Sequence, residues 1–174
     1  MTYPFYFARL GSHAVEMGQR LLLRLLPGTA LPEKNPSKSP YLDWSDINQV
    51  GDPQIDEQHK LLVGLINLLH RSLMLEHDRS RADDLFDHFT HAARNHFTHE
   101  ESVLMEQYCP EYGHHFDQHS KAIAEIQDLF RQFKVGEMSA PVVLFRLRTW
   151  MVSHSRPDRH QAKSYLSQPG RSQG

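Results

Sequence analysis

The stretch HFTHEESVLM, residues 96–105, holds two histidines and two glutamates in its first six positions and then turns apolar. Residues four apart lie close together on one face of an α-helix, because four residues rotate the chain by little more than one turn. His96 and Glu100 therefore share a face of the helix that this stretch predicts. An imidazole and a carboxylate at the edge of an apolar face predict a polar site inside a bundle of helices.

Helical periodicity extends over most of the chain beyond the first 40 residues. Asp52 and Pro53 form a typical N-cap and first helical position, and Pro157 is expected to stop or kink the last helix. The predicted helices cover about residues 53–75, 80–108, 114–134 and 139–154. No segment alternates with period two for long enough to indicate a strand. The sequence therefore predicts an all-α fold, an antiparallel up-down-up-down four-helix bundle with an N-terminal extension.

The chain divides by composition into three predicted regions. Residues 1–40 form an N-terminal extension with a proline-rich linker, residues 41–168 the bundle, and residues 169–174 a flexible tail. Within the extension, residues 13–26 carry five leucines, and we expect them to pack on the bundle or on another protomer. A partner protein or a membrane surface is the alternative contact for this segment.

Composition narrows the class of protein. The 174 residues carry a formal net charge of −2, so no nucleic-acid partner is predicted. The single cysteine, Cys109, excludes an internal disulfide. We expect a cytoplasmic location, because the sequence shows neither a secretory layout nor an apolar run of the roughly 20 residues that span a membrane. The 13 histidines, beside 21 acidic residues, indicate metal binding, since histidine is the commonest protein ligand of metals.

Side chains that can bind a metal recur on the apolar seam of every predicted helix. The candidate ligands are His59, His96, Glu100, His115, His119, His154 and Asp158. Nitrogen and oxygen donors without thiolate suit iron or manganese better than a closed zinc site. Each carboxylate can bridge two ions while the imidazoles complete their shells. Two ions with roughly six positions each, joined also by an oxo or hydroxo bridge, would keep one position open for a small ligand such as O₂.

On two of these helices, neighbouring residues are alternative candidates for the ligand positions. His99 and Glu101 lie beside the chosen pair on the second helix, and His114 lies beside His115 on the third. His115 is preferred because His119 follows it by four residues. On the second helix, the chosen frame agrees with an inward apolar stripe of Phe97, Leu104 and Met105.

The whole series resembles the bacterial hemerythrins across about residues 41–166. The resemblance rests on GDPQIDEQHKLL after Trp44, on HFTHEESVLM, on HHFDQH and on WMVSH followed by an aspartate. It implies two iron ions with an oxo or hydroxo bridge, one held by His115, His119 and His154 and the other by His59 and His96, with Glu100 and Asp158 bridging. It also implies an O₂ pocket lined by Leu62, Phe97, Trp150 and Met151.

By this resemblance the protein binds O₂ reversibly as a peroxide, on a centre that passes from the diferrous to the diferric state, and it is not an enzyme. Oxygen carriage, storage or delivery is the function that the resemblance implies. Three alternatives stay open at this point: an O₂-responsive or redox-responsive sensor or interaction module, a di-iron peroxidase or iron donor, and a degenerate site with one metal or none.

Two positions depart from the pattern of the family. The family usually places the last aspartate five residues after the last histidine, whereas Asp158 follows His154 by four, with Pro157 between them. Either the end of the helix deforms and Asp158 still bridges, or water or a single-carboxylate centre takes its place. Ser155 stands where a bulky aliphatic residue is common, which predicts a wetter pocket and faster autoxidation.

Overall fold

The computed structural model describes residues 39–156 and residue 165. Its four long helices are α1 (Pro53–His70), α2 (Arg79–Glu106), α3 (Tyr112–Lys134) and α4 (Ala140–His154). Each helix packs against its neighbours in the sequence, and α4 also packs against α1, which closes the bundle. No strand occurs among the described residues. The predicted all-α four-helix bundle is confirmed.

Local sequence explains where α1 and α2 begin. The carboxylate of Asp52 accepts hydrogen bonds from the N–H groups of the second and third helical residues at 2.8 and 2.9 Å, and Pro53 occupies the first position. Asp78 caps α2 in the same way, by accepting from the N–H of Arg81 at 3.0 Å. Because these N–H groups have no partner inside the helix, each cap stabilises it by roughly 1 kcal/mol.

The predicted first helix is longer than the α-helix of the structure, which ends at His70. The chain continues as a wider π-helical segment, Arg71–Glu76, and turns at His77, whose φ is 55°. A left-handed residue of this kind ends a helix. The buried hydroxyl of Ser72 donates to the carbonyl of Asp78 at 2.7 Å and thereby fixes the turn into α2.

Aromatic side chains fill one half of the interior. Phe86 stacks on Phe130 with ring centroids 4.1 Å apart, and Phe133 meets Phe86 edge-on at 5.4 Å. Phe89 meets Phe130 edge-on at 6.1 Å. Phe86 and Phe89 are among the most completely buried side chains of the described residues. We call these four phenylalanines the aromatic half of the core.

Met105 does not belong to the inward stripe on which the sequence analysis placed it. Phe97 and Leu104, seven residues apart, are buried at 3% and 0% exposure, whereas Met105 is 58% exposed. Seven residues make almost two full turns, so positions 97 and 104 share a face. The next residue is rotated by about 100° from that face, which carries Met105 to the surface.

The segment before α1, residues 41–50, is hydrogen-bonded to α1 and to the residue that follows α4, and we call it the strap. The N–H of Leu42 donates to Oδ1 of Asn67, and Nδ2 of Asn67 donates to the carbonyl of Leu42, both at 2.9 Å. Further along, the N–H of Asn48 donates to the hydroxyl of Ser155 at 3.3 Å. The strap therefore connects α1 to the residue that follows α4.

Three predicted features lie outside the described residues: the leucine-rich stretch 13–26, Asp158 and the tail 169–174. Their predicted roles, and the predicted domain boundaries near residues 40 and 168, stay predictions. Among the helices that the structure describes, none combines the length and the apolar composition that a membrane crossing requires.

Candidate metal centre

Each of the four helices contributes to one buried cluster of imidazoles around a carboxylate. The structure brings together six of the seven candidate ligands: His59 from α1, His96 and Glu100 from α2, His115 and His119 from α3, and His154 from α4. All are buried except His154, whose side chain is only 8% exposed. Because i and i+4 positions share a helix face, the two pairs on α2 and α3 point inward together.

The carboxylate of Glu100 lies at the centre of this cluster. Its Oε2 atom is 3.2 Å from Nε2 of His119. Three further Nε2 atoms lie 3.5, 3.6 and 3.8 Å away, those of His115, His96 and His154. Adjacent donors around a six-coordinate ion with bonds of about 2.1 Å are about 3 Å apart, so these separations are close to those of donors that share ions.

Two atoms of the cluster test whether a metal fits. Oε2 of Glu100 and Nε2 of His119 are buried and have no hydrogen-bond partner among the described residues. Burying polar atoms without partners costs about 1–3 kcal/mol each, and more for a charged group. A cation between them removes that cost, so the donor set fits a metal ion.

The donors form two groups that share Glu100. The four-donor group contains His59, His96, Glu100 and His154, and the three-donor group contains Glu100, His115 and His119. Within each group the donor atoms lie within 4.8 Å of one another. In the four-donor group, Nε2 of His96 is 2.8 Å from Nε2 of His154 and 3.2 Å from Nε2 of His59. Two groups with one carboxylate in common are what a bridging glutamate requires.

The position of His154 differs from the one that the family resemblance implies. The resemblance assigns His154 to the iron of the three-donor group, whereas in the structure it belongs to the four-donor group. Helix α4 packs against both α1, which carries His59 of the four-donor group, and α3, which carries the two histidines of the three-donor group. Trp150 stacks on the His154 ring at 5.4 Å with the planes 7° apart, which holds the ring in this orientation. The division of ligands between two ions stays a prediction.

Burial keeps two imidazoles of the four-donor group in the neutral form. Removal from water lowers the pKa of His96 from 6.5 to about 3, although the charge of Glu100 acts in the opposite direction. Burial likewise holds the pKa of His154 well below its usual value. Neutral imidazole is the form that binds metals, so these ligands need not lose a proton at neutral pH.

The carboxyl group of Glu100 is ionised in the same surroundings. Burial alone would raise its pKa, but the attraction between the carboxylate and the protonated forms of His96 and His154, which exist only in acid, lowers it by more. Together with the contacts from His115 and His119, this attraction holds the pKa well below the usual range of a glutamate. The carboxylate is therefore available as a ligand over the whole physiological range of pH.

Two side chains contact the Nδ1 atoms of ligands, on the side of each ring away from the cluster. The sequence analysis did not assign them this role. Nδ1 of His96 is 3.3 Å from Oε1 of Gln58, and Nδ1 of His119 is 2.9 Å from Oε1 of Glu101. The sequence analysis considers Glu101 only as a competitor for the ligand position. Both residues adjoin ligands in the sequence, but this is a weak signal because each contact forms between two helices.

Apolar and aromatic side chains surround the donors. The four residues predicted to line an O₂ pocket belong to the main apolar core or pack against it: Leu62, Phe97, Trp150 and Met151. All are buried except Trp150, which is partly buried and packs against the same core. Phe97 stacks on the ring of His119 at 3.9 Å with the planes 12° apart. Phe97 and Trp150 thus contact ligands, and the role of all four residues in binding O₂ stays a prediction.

The hydroxyl of Ser155 is engaged by the strap. It accepts the hydrogen bond from the N–H of Asn48 and donates to the carbonyl of Val152 at 3.1 Å, and the side chain is buried. A hydroxyl with both partners in the protein attracts little water. The predicted wetter pocket therefore has little support from this geometry, and the predicted autoxidation rate stays a prediction.

The chemistry of the donors defines the class of protein. They are imidazole nitrogens and a carboxylate oxygen, whereas Cys109 packs elsewhere, with Val50, Ile55 and Leu104. Nitrogen and oxygen donors on four antiparallel helices suit iron. The chain is a metal-binding four-helix bundle.

Comparison with known proteins identifies the family. Residues 50–156 match the family model of the hemerythrin HHE cation binding domain, and the chain belongs to this family. The bacteriohemerythrin of Stenotrophomonas maltophilia (strain R551-3) is 26% identical over 131 residues, which are 73% of this chain and 85% of that protein. The bacteriohemerythrin of Pseudomonas paraeruginosa (strain DSM 24068 / PA7) is 29% identical over 118 residues, 68% of this chain and 76% of that protein. The predicted resemblance to bacterial hemerythrins is confirmed.

Solved structures agree on the fold. Two crystal structures of hemerythrin variants, 23% and 22% identical to this chain, superpose with a TM-score of 0.64. Each covers 75% of this chain and 100% of the hemerythrin chain. Family membership and the His/Glu cluster together indicate a metal site, with iron as the metal that the family implies.

Proposed function

We propose that this chain binds O₂ reversibly at a non-haem di-iron centre bridged by carboxylate, for carriage, storage or delivery of oxygen inside a bacterial cell. The observation that supports this proposal most strongly is the pair of donor groups that share Glu100. A mononuclear site needs only one such group, whereas two groups around one carboxylate favour two ions. The function is binding rather than catalysis.

A pair of ferrous ions, when bound, supplies the electrons and the open coordination position that O₂ needs. The chain's own contribution is to hold and surround that pair. The imidazoles of both groups would donate lone pairs, and the negative charge of Glu100 would offset part of the cationic charge at the centre. The four helices fix these donors before metal arrives, so little conformational entropy is lost on binding.

The walls of the site favour reversible binding. Leu62 and Met151 are completely buried, and as the predicted lining of the pocket they would keep water from the donors. Phe97 and Trp150 stack on the rings of His119 and His154 and restrict their rotation. Because water and protons promote irreversible oxidation of an iron–oxygen complex, a dry and rigid wall slows that loss.

Metal analysis combined with optical spectroscopy tests the proposal. The reduced protein is exposed to air and then to argon, and we expect two irons per chain and a visible charge-transfer band that appears and disappears reversibly. Glu100→Gln is expected to lose the band, whereas Glu106→Gln, an exposed acid on the same helix, should keep it. Zinc in place of iron, or one iron with no band, would contradict the proposal.

One contact favours a sensor as the second candidate function. The strap is hydrogen-bonded to Ser155, the residue after His154, so a movement of His154 on oxidation would act on the strap directly. The strap leads along the chain to the N-terminal extension, the predicted site of a partner. A difference in proteolysis of the extension between the reduced and oxidised proteins would support this function, and identical digestion would exclude it.

A further inference from the structure

The corner between α2 and α3 exposes large apolar side chains. Met105 at the end of α2, Tyr108 in the connection and Phe116 on α3 are 58%, 82% and 45% exposed. The N–H of Tyr108 donates to the carbonyl of Met105 at 3.1 Å, which keeps these two residues in one tight turn. Exposed apolar side chains that are grouped in this way indicate a contact site for another molecule. We call residues 105–117 the acidic corner, after its charged residues.

Tyr108 has a backbone conformation that tyrosine rarely adopts. Its φ is 54°, in the left-handed region where a β-carbon crowds the backbone and where Gly or Asn usually follows a helix. The ring is mostly exposed, so it contributes little to the core in return. An unfavourable backbone conformation together with an exposed aromatic ring favours a role in contact with a partner, since aromatic rings contribute strongly to interfaces.

The charged residues of the acidic corner are all negative. They are Glu106, Glu111 and Asp117, and no Lys or Arg occurs between residues 95 and 120. Among the residues that the structure describes, none of these three acids forms an ion pair with a lysine or an arginine. Their charge repels anionic lipid, nucleic acid and the same surface of a second copy, and it attracts a basic protein.

The acidic corner also carries part of the candidate metal centre. Nε2 of His115 is 3.5 Å from Oε2 of Glu100, whereas the next residue, Phe116, is exposed. An α-helix with its side chains is about 10 Å wide. A molecule on the outer face of α3 would therefore lie only about one helix width from the donors on its inner face, and electron transfer between proteins needs such a short separation.

We propose that the acidic corner is the docking surface for a basic electron-carrier protein that returns electrons to the iron centre. This inference rests on the proposed di-iron function and adds to it the chemistry of a partner. A centre left in the diferric state can bind O₂ again only after reduction. Two carriers would each lose one electron, the two ferric ions would become ferrous, and an oxo bridge would take up one proton from water. A small apolar centre among charges of one sign suits such a brief contact.

Binding of a basic probe tests the docking surface independently of O₂. The full chain as purified is titrated calorimetrically with cytochrome c, a basic haem protein, and separately with flavodoxin, an acidic electron carrier. We expect cytochrome c to bind at low ionic strength, with an affinity that falls steeply as salt is added. Flavodoxin should not bind. Equal binding of the two probes, or no binding of cytochrome c, would overturn the proposal.

Charge reversals locate the contact. Glu106→Lys/Glu111→Lys should weaken binding of cytochrome c by about 10–100-fold at low salt, because two attractions become repulsions. Asp87→Lys/Glu125→Lys makes the same change in net charge at exposed positions of α2 and α3 outside the corner, and should weaken binding by less than about threefold. Equal losses in the two double variants would mean that net charge alone attracts the probe, and would overturn the proposal. Circular dichroism checks that each variant keeps its helices.

A substitution at Tyr108 separates contact from fold. Asn tolerates the left-handed conformation, so Tyr108→Asn should keep or raise the melting temperature while it removes the ring. We expect cytochrome c to bind about tenfold more weakly, as when an aromatic residue is removed from the centre of an interface. Phe145→Asn, at an exposed position on α4, should leave binding unchanged. Binding as tight in Tyr108→Asn as in the wild type would exclude the ring from the contact and overturn the proposal.

Stopped-flow kinetics test the electron-carrier role. The iron-loaded, reduced protein is mixed with ferric cytochrome c under argon, since one contact serves transfer in either direction. Glu106→Lys/Glu111→Lys should lower the second-order rate constant by about tenfold or more, and an unchanged rate would overturn this role. Reversible O₂ binding without any contact at the corner would overturn this inference alone. A chain without an iron pair would overturn the proposed O₂ function and, with it, the electron-carrier role.

Discussion

The two halves of the bundle interior differ in the polarity of the side chains that fill them. In the aromatic half, Phe86, Phe89, Phe130 and Phe133 contact one another by stacked and edge-on apolar rings. In the other half, five imidazoles and a carboxylate face each other, and two of their polar atoms have no hydrogen-bond partner among the described residues. The first half stabilises the fold without help, whereas the second is stable only in part until a cation binds. Stability and function therefore reside in different layers of the same four helices.

Truncation in the aromatic half should have the largest effect on stability. Phe86→Ala removes a fully buried ring and is expected to lower the free energy of unfolding by about 3–5 kcal/mol, because it creates a cavity. Urea unfolding of the metal-free protein measures this value. Phe145→Ala, at a 63% exposed position on α4, should change it by less than about 0.5 kcal/mol. Equal losses for the two variants would contradict the comparison.

Acid should destabilise the metal-free protein through the half of the interior that contains the imidazoles and Glu100, which we call the polar half. Burial lowers the pKa of His96 from 6.5 to about 3. Between these two pH values the imidazole is protonated in the unfolded chain and neutral in the folded chain. The free energy of unfolding therefore falls as the pH drops below 6.5, by roughly 2 kcal/mol at pH 5 for this group alone.

A pair of variants isolates this contribution. His96→Gln should flatten the dependence of unfolding free energy on pH between 7 and 5, whereas His91→Gln, at an exposed position on the same helix, should not. Urea unfolding at a series of pH values in the presence of a chelator gives the slopes. If the free energy of unfolding depended on pH equally in the wild type and in His96→Gln, burial of this imidazole would not cause the acid destabilisation.

Adjacent histidines on α3 allow a sharp test of the polar half. His115 is buried beside Glu100 and His114 is exposed, so one residue of sequence separates a donor from a surface side chain. His115→Ala should weaken metal binding by at least about tenfold, or about 1.4 kcal/mol, and His114→Ala should leave it unchanged. Calorimetric titration of the metal-free variants measures both. An equal loss in the two variants would place the metal elsewhere.

Removal of the strap's contact with α4 should have the smallest effect. Ser155→Ala deletes the acceptor for the N–H of Asn48, and we expect a loss of about 1 kcal/mol in the free energy of unfolding. Thermal unfolding of the metal-free protein gives the value, with Ser45→Ala, at an exposed position in the strap, as the control. If Ser45→Ala lowered the free energy of unfolding and Ser155→Ala did not, the proposed link from α1 through the strap to the end of α4 would be contradicted.

Sequence periodicity predicted the helices and the donors for a clear reason. Positions that share a helix face follow from spacing alone, which is why His96 with Glu100, and His115 with His119, could be assigned in pairs. Met105 was placed wrongly because it adjoins an inward position without sharing its face.

Contacts between helices could not be predicted in this way. The hydrogen bond of Glu101 with His119 depends on the register of α2 against α3, and the placement of His154 depends on the rotation of the last turn of α4. Neither quantity is encoded in the spacing along a single helix. The π-helical segment after His70 depends on packing as well, since its residues have ordinary helical propensities.

The two hydrogen bonds between Asn67 and Leu42 limit where residues can be inserted into the strap or deleted from it. A side-chain amide that bonds both the N–H and the carbonyl of one residue imitates a neighbouring backbone, so it fixes that residue in place. Asn48 is fixed again only six positions later, and the residues between must cover a set distance. Insertions there would have to bulge outward, whereas substitutions that keep the count would be tolerated.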